Sequence, residues 1–531
     1  MAIKFERWRP SKTITRQEKA LLKRCVRVKK LFRFLREHRA ELFDEAFQQE
    51  LEEMYRRSGA GKPPVPPALM AMATLLQGYV GASDAEAIEL TVVDLRWQMV
   101  LGCLGNTEPA FSQGALHDFR HRMIRSNMDR RLLERTVELA RKTKAFDAKK
   151  LPKTLRIATD SSPLEGAGRV EDTINLLGHA ARNVVACVAT LLDWEVDEVC
   201  AAAGIPVLLE PSVKKGLDCQ WDDPAQKAGA LQLLVDQLVS LQAWIEHCLP
   251  EQVAAPPLKE TLDTLKQLVE QDLEPDPGGG GKVRIRRGVA DDRRVSIEDG
   301  EMRHGRKSSS KRFNGYKRHI AADLDTGLIM ACAVTPANRP EAEAAPAIEA
   351  DIERQNFTVG ELYIDRGYIS SDLVDDIIGR GGDVFCKPWF PPGKNGRFTK
   401  SQFRLNLRAM TVTCPAGEVE PISIGSTVEF NAMACDRCAL REQCTTAAPG
   451  TGRSVQISDD ERLQQRLRKR IATPKGRERL RERVQVEHKL AHLGQRQGRR
   501  ARYFGVRANL YDLRRASSIQ NLETTQRKMA A

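Results

Sequence analysis

"TLRIATDSSPLEG", residues 154–166, is a short β-type run that meets a carboxylate, Asp160, and then Ser161, Ser162 and Pro163. Asp, Ser and Pro favour turns through side-chain hydrogen bonds or a fixed φ, so the run is predicted to be a strand that stops at Asp160. Alone, such an aspartate reads first as a solvated turn former, and second as a carboxylate held at the end of a rigid strand and aimed at something positive. A second apolar segment, "ELYIDRGYISS" (361–371), ends in the same way, with Asp365 before Arg366, Gly367 and Tyr368. In an α/β sheet, ligands bind in the crevice beyond the carboxyl ends of the strands. If the two segments are adjacent and parallel, Asp160 and Asp365 face one another there. Two carboxylates that close need Mg²⁺, Mn²⁺ or a shared proton between them. Hard cations held by carboxylates, with positions left open for phosphate oxygens and water, are the apparatus of two-metal phosphoryl transfer.

Around these two segments lie 531 residues, which at about 150 residues per domain suggests roughly three or four units. Lys plus Arg number 84 against 71 Asp plus Glu, a net charge of +13 that favours a polyanionic partner. The first residues, "MAIKFERWRP", carry charges where a signal peptide needs an apolar core. No stretch approaches the roughly 20 apolar residues of a membrane helix. A cytoplasmic, nucleoid-associated location is expected, with no membrane partner.

Residues 1–150 read as almost wholly helical, with apolar residues at three and four spacing through "TRQEKALLKRCVRVKKLFRFLREHRAELFDEAFQQELEEMYRRS". Further on, "FSQGALHDFRHRMIRSN" offers Ser112 as an N-cap and a basic face with His117, Arg120, His121 and Arg122. That face reads either as the recognition helix of a helix-turn-helix or as the solvated side of a bundle. Residues 151–170 carry the first strand. Residues 171–282 read as a helical insertion that ends in "EPDPGGGGK", a flexible linker. Residues 283–390 alternate strand, hairpin, helix, strand, helix and strand, with the hairpin turning at Asp325-Thr-Gly327, and describe an α/β layer with a mixed sheet.

Taken together, "IATDSSPLEG" with Glu171-Asp172 after it, "FNGYKRHIAADLDTGLI", "VTPAN" and "YIDRGYIS" resemble the DDE transposases of bacterial insertion sequences. The resemblance covers most of the chain. It implies an α/β RNase H-like catalytic core with a mixed sheet, preceded by an all-α N-terminal domain that recognises terminal inverted repeats. It also implies two-metal cleavage of the element's ends, transfer of the 3′ ends into target double-stranded DNA, and at least a homodimer to synapse two ends. A non-catalytic DNA-binding derivative and a metal-dependent nuclease that cuts without joining are the rival readings.

Such an enzyme needs a third carboxylate on a later helix, often within Tyr-x-x-Arg-x-x-x-Glu followed seven residues on by Lys. "RERLRERVQVEHKLAHLG" supplies Arg483 and Glu487 at that interval, one helical turn apart. Leu480 and Gly494 stand where the Tyr and Lys would be, and Glu478 and Glu482 are the alternatives to Glu487. The resemblance therefore implies Asp160, Asp365 and Glu487 as ligands of Mg²⁺ or Mn²⁺. Cations suited to DNA phosphates are Arg120 and Arg122, Arg306 and Lys307 in "RHGRKSSSKR", Lys317, Arg366, Arg483, and Arg499 with Arg500. The last two precede Tyr503, Phe504 and Tyr511, aromatics able to stack on exposed bases.

Residues 391–470 hold Cys414 in "CPAG" and Cys435, Cys438 and Cys444 in "CDRCALREQC". Four thiolates with these knuckle-like spacings suit a closed, structural Zn²⁺ site, against the alternative of four buried free cysteines. A Cys-rich segment of this kind recurs in one branch of the resembled transposases. It is read as a small zinc-binding insertion, and residues 471–531 as the catalytic-core helix with a basic C-terminal region.

Overall fold

The computed structural model describes residues 6–25, 30–55, 63–143, 146, 154–308, 310–389 and 396–530. The expected borders at 150/151 and 390/391 lie outside the described residues.

The N-terminal region is helical, as expected: α1 (Arg16–Arg24), α2 (Leu31–Leu42), α3 (Glu45–Glu52), α4 (Pro67–Val80), α5 (Asp84–Val93), α6 (Leu95–Leu101), α7 (Gln113–Arg125) and α8 (Met128–Lys142). Local chemistry starts these helices. Thr15 with Glu18, and Ser83 with Glu86, form capping boxes, and Ser112 accepts from the Ala115 amide at the start of α7. Phe32, Leu35, Phe47, Leu76, Trp97 and Phe119 fill one shared core.

Next comes β1 (Thr154–Glu165), which runs straight through Asp160 instead of stopping there. It pairs with β7 (defined below) only over residues 154–158, so between Ala158 and Glu165, which bridges Arg500, one side of β1 is unpaired and Pro163 removes no needed donor. Five helices follow: α9 (Thr173–Leu192), α10 (Val196–Ala202), α11 (Val213–Gly216), α12 (Pro224–Cys248) and α13 (Leu258–Asp272). By length and composition α9 could cross a membrane, contrary to the sequence expectation, but its Leu177, Val184 and Val188 pack into the insertion's own core with Leu234, Leu241 and Leu268. The glycine run is not an open linker. It turns a small hairpin, β2 (Leu273–Pro275) against β3 (Val283–Ile285), with the Asp276 amide donating to Lys282 O and positive φ at Gly279, Gly280 and Gly281.

The main sheet is completed by β4 (Arg303–Arg306), β5 (Arg312–Asp323), β6 (Ile329–Pro336), β7 (Thr358–Tyr363) and β8 (Asp383–Phe385), with α14 (Ala345–Glu353) and α15 (Asp372–Gly379) between them. Its order is β4-β5-β1-β7-β8, with β6 also on β5. The β5–β6 hairpin and the β1–β5 pair are antiparallel, while β1–β7 and β7–β8 are parallel: the mixed sheet expected.

The cysteine-rich module contains the antiparallel strands β9 (Arg404–Asn406), β10 (Thr411–Thr413) and β11 (Val419–Pro421), then β12 (Thr427–Glu429) with β13 (Ser454–Gln456) around the short helices α16 (Ala432–Asp436) and α17 (Arg441–Cys444). Four helices close the chain: α18 (Glu461–Ala472), α19 (Pro474–Arg481), α20 (Val484–Gln497) and α21 (Val506–Ala530). One face of the sheet, with Ile157 and Leu362, packs on α14, α15 and α18. The other, with Ala158 and Ile320, packs on Val486, Leu490 and Leu493 of α20 and Leu513 and Ala516 of α21.

α21 ties the N-terminal helices to the sheet. Its Tyr511, Ile519 and Leu522 join the N-terminal core, and Arg514 pairs with both Asp129 and Asp351. Asn521 binds the edge of β6 twice, accepting from the Ile329 amide at 2.7 Å and donating to Ile329 O at 2.9 Å. Asn521→Leu strands both backbone groups in the core and is expected to cost about 2–4 kcal/mol, read as a lower urea midpoint.

Candidate active site

The parallel register fixes the two aspartates. The last paired residues are Ala158 and Tyr363, and Asp160 and Asp365 each lie two residues further along, beside one another past the end of the pairing. Asp365 caps the short turn Arg366–Tyr368, accepting from the Arg366 amide at 2.8 Å, and Asp160 accepts from the Ser161 amide at 2.8 Å. Both line one cavity of about 570 Å³ together with Glu487 and Arg483.

Glu487 lies in the first turn of α20, where a helix N-terminus favours negative charge. The segment expected to be one helix is two, since the chain breaks between α19 and α20 at Glu482 and Arg483. The break serves two anchorages. Arg479 and Glu482 are held in a network with Arg156, Glu361 and Tyr363 at the sheet, while Val486 packs further along. Glu482 is thereby occupied, and of the two it is Glu487 that lines the cavity.

Arg483 lies between the acids. Its guanidinium is 3.1 Å from Asp160 Oδ2, an ion pair without hydrogen-bond alignment, and 2.5 Å from Glu487 Oε1. The Asp160 side chain is only 15% exposed. Burial, reinforced by the negative charges of Glu487 and Asp365 and opposed by Arg483 and the Ser161 amide, pushes its carboxyl up to about 6. Among the described residues, no three Asp, Glu, His or Cys side chains already converge closely enough to hold a metal ion. Like charges do not gather unaided, and here an arginine supplies the cation between two of them. Three hard carboxylate oxygen donors around one polar cavity are a donor set that fits Mg²⁺ or Mn²⁺.

Of two further carboxylates in the cavity, Glu165 pairs with Arg499, and Glu341 was not anticipated. It follows "VTPAN" in the sequence, lines the same cavity, and accepts a hydrogen bond from Ser161 Oγ. Gly367 makes room for it, since a Cβ there would lie 2.1 Å from Glu341 Oε2. Behind it, His319 is fully buried between Tyr368 Oη (2.6 Å) and Thr335 Oγ1 (2.9 Å). Burial, with a smaller contribution from Lys317, lowers its imidazole from 6.5 to about 3, so it is neutral. The unfolded chain takes up this proton near pH 6.5 and the folded one does not, so this contribution to stability is complete above pH 6.5 and is lost as pH falls toward 3. Acidification from neutrality to about pH 4 is expected to remove about 3 kcal/mol through this residue. Urea titrations should show that slope flattened in His319→Gln.

The predicted cations divide into two groups. Arg306, Lys307, Lys317 and Arg499 line the cavity, with Lys311, Arg312 and Arg318, which the sequence reading did not single out. Others are committed elsewhere. Arg120 is buried against Asp84 and Tyr503 Oη, Arg122 lies over the Tyr55 ring, Arg366 over Trp389, and Arg500 donates to Gly166 O and Ala167 O. Tyr511, 1% exposed, cannot stack on a base; Phe504, 53% exposed, can.

The four clustered cysteines line a second cavity of about 360 Å³. The Leu440 amide points at Cys438 Sγ (3.4 Å) and the Arg453 amide at Cys435 Sγ (3.5 Å). Burial raises the Cys444 thiol, as do the three neighbouring cysteines, with Arg453 opposing.

Two family models match the chain: one described as the transposase DDE domain over residues 284–513, the other as a transposase domain, DUF772, over residues 26–122. The first contains Asp365 and Glu487 and begins after the insertion that separates them from Asp160. No curated protein and no solved structure matches. With a transposase N-terminal domain and a DDE domain in one polypeptide, the chain belongs to the DDE transposases of insertion sequences.

Proposed function

We propose that the protein cleaves DNA at the ends of its element and joins the freed 3′ ends to target DNA, with Asp160, Asp365 and Glu487 as the catalytic carboxylates of an RNase H-like core. The observation that carries this reading is the shared register of β1 and β7, which sets both aspartates side by side, with α20 bringing Glu487 to the same cavity. Mg²⁺ or Mn²⁺ bound by these three residues would neutralise phosphate charge and make water or a 3′-hydroxyl a better nucleophile. Water opens the phosphodiester at the element's end, and the 3′-hydroxyl so released then attacks a phosphodiester of the target.

The chain itself supplies positioning and charge, which carry most of the rate in phosphoryl transfer. Arg306, Lys307, Lys311 and Arg312 rim the cavity and draw in the sugar-phosphate backbone. Arg483 balances the carboxylates before substrate arrives and then has a phosphate within its reach. Glu341 orients Ser161, next to Asp160.

Zn²⁺ belongs to the same proposal. The four thiols line one cavity, backbone amides point at the sulfurs of Cys435 and Cys438, and the module has only a small core of Phe403, Val412, Val428, Phe430 and a few neighbours. The helical N-terminal domain recognises the terminal inverted repeats, a homodimer synapses two ends, and the protein works in the cytoplasm at the nucleoid. The units are residues 1–150, 151–170 with 283–390 and 471–531 as the core, 171–282 as the helical insertion, and 391–470 as the zinc-binding insertion.

Purified protein, a labelled duplex from the DNA flanking its gene, a target plasmid and Mg²⁺ test the reading. Joined product is expected. Cleavage without joining would make the protein a nuclease, and binding alone a non-catalytic derivative.

A further inference from the structure

Among the described residues, the buried cation Arg318 has no carboxylate partner. It lies on β5 directly opposite Ser162 of β1, on the sheet face that carries Asp160, and it lines the same cavity while only 5% exposed. Its Nε donates to Ser162 Oγ at 2.8 Å, and its Nη1 to Gln497 Oε1 at 3.1 Å and Gly498 O at 3.3 Å, all neutral acceptors. The negative charge that opposes this burial is Asp512, whose oxygens are taken by Gln497 Nε2 and Arg515. Burial lowers the guanidinium to about 10, which still leaves it charged at neutral pH.

Several other buried arginines are paired: Arg36 with Glu18, Arg514 with Asp129 and Asp351, and Arg515 with Asp512. Arg39, like Arg318, meets only neutral acceptors, three backbone carbonyls. A buried charge without its counter-charge is costly unless something else supplies one. The Nη2 of Arg318 donates to nothing among the described residues, and it faces Gly494 of α20, where a Cβ would stand only 3.1 Å from it. Glycine there leaves the guanidinium uncovered toward the cavity, which Gly494 also lines.

We propose that Arg318 binds a backbone phosphate of the DNA strand lying in the carboxylate cavity, reaching it through the gap that Gly494 leaves. The planar fork suits phosphate, and the buried site makes the pair stronger than one on the surface. The proposal rests on the DNA-joining reading above and adds to it a phosphate-positioning residue outside the carboxylate set.

The test is a fluorescence titration of a labelled duplex from the flanking DNA, in Ca²⁺, at several salt concentrations, with thermal melting of the DNA-free protein. Arg318→Met is expected to weaken binding roughly tenfold and to lower the slope of log K against log salt by about 0.9. Its melting temperature should be unchanged or higher, because an uncompensated buried charge has gone. Gly494→Ala keeps the arginine, favours the helix, and is expected to weaken binding through closure of the gap. A wild-type slope in either variant, or a lowered melting temperature in Arg318→Met, overturns the proposal. Wild-type protein that binds the duplex and joins DNA while Arg318→Met keeps the wild-type slope sinks this inference alone; wild-type protein that binds no duplex sinks the DNA-joining reading with it.

Discussion

Asp160→Asn and Asp365→Asn should each lower DNA cleavage and joining by about a thousandfold or more while leaving duplex binding intact. Asparagine matches the size of aspartate and keeps an oxygen for the Ser161 or Arg366 amide, so the local turn survives. What it removes is the charge. For Asp160 that charge is a burden without metal: the folded carboxyl sits near 6 against an ordinary 3.8, so stability falls as pH rises through that interval. Asp160→Asn is therefore expected to melt no lower than wild type at neutral pH, although it is inactive. Glu487→Gln should follow the aspartates. Glu341→Gln should lose much less, since its Oε1 can still accept from Ser161 Oγ. If Asp160→Asn lost activity and melted well below wild type together, the residue would be a structural one.

Cys435→Ser, or exposure to a strong chelator, should release about one Zn²⁺ per chain and open the module around β9 to β13 to protease. Structural zinc contributes on the order of 10 kcal/mol to small domains, more than this module's few buried residues supply. The core beneath Phe403, Val412 and Phe430 is separate from the two cores flanking the main sheet. The sheet and its aspartates should accordingly stay protected while residues 396–457 are cut. Elemental analysis and limited proteolysis read both effects. A zinc-free chain with equal protease resistance would mean four ordinary free thiols.

The main elements were legible because their signals are local. The helical N-terminal region and the hairpin at Asp325-Thr-Gly327 follow from periodicity and turn chemistry, whereas the parallel pairing of the two aspartate strands stood in the sequence only as a condition, which the register of β1 and β7 meets. Most errors arose where the deciding contact is distant. Asp160 was read as a strand end because Ser-Ser-Pro resembles a stop, yet β5 carries β1 on to Glu165, where β7 has already ended. Four glycines resemble a linker but make a hairpin tip, because Asp276 and Lys282 close it. Arg120 read as a basic surface until Asp84 and Tyr503, the latter 383 residues away, enclosed it. Glu341 and Arg318 carry no motif of their own. A cation within the apolar run "YKRHIAAD" was the available hint of Arg318, and only the fold shows that its partners are neutral.

The central claim is that Asp365 stands with Asp160 and Glu487 as a ligand of the divalent ion used in joining. A metal swap on Asp365→Cys tests it most directly, because thiolate is a poor ligand for hard Mg²⁺ and a better one for softer Mn²⁺. Strand transfer by this variant should be absent in Mg²⁺ and restored in part by Mn²⁺, with wild type active in both. Joining in Mg²⁺ at the wild-type rate, or failure in both ions with duplex binding intact, would contradict the assignment.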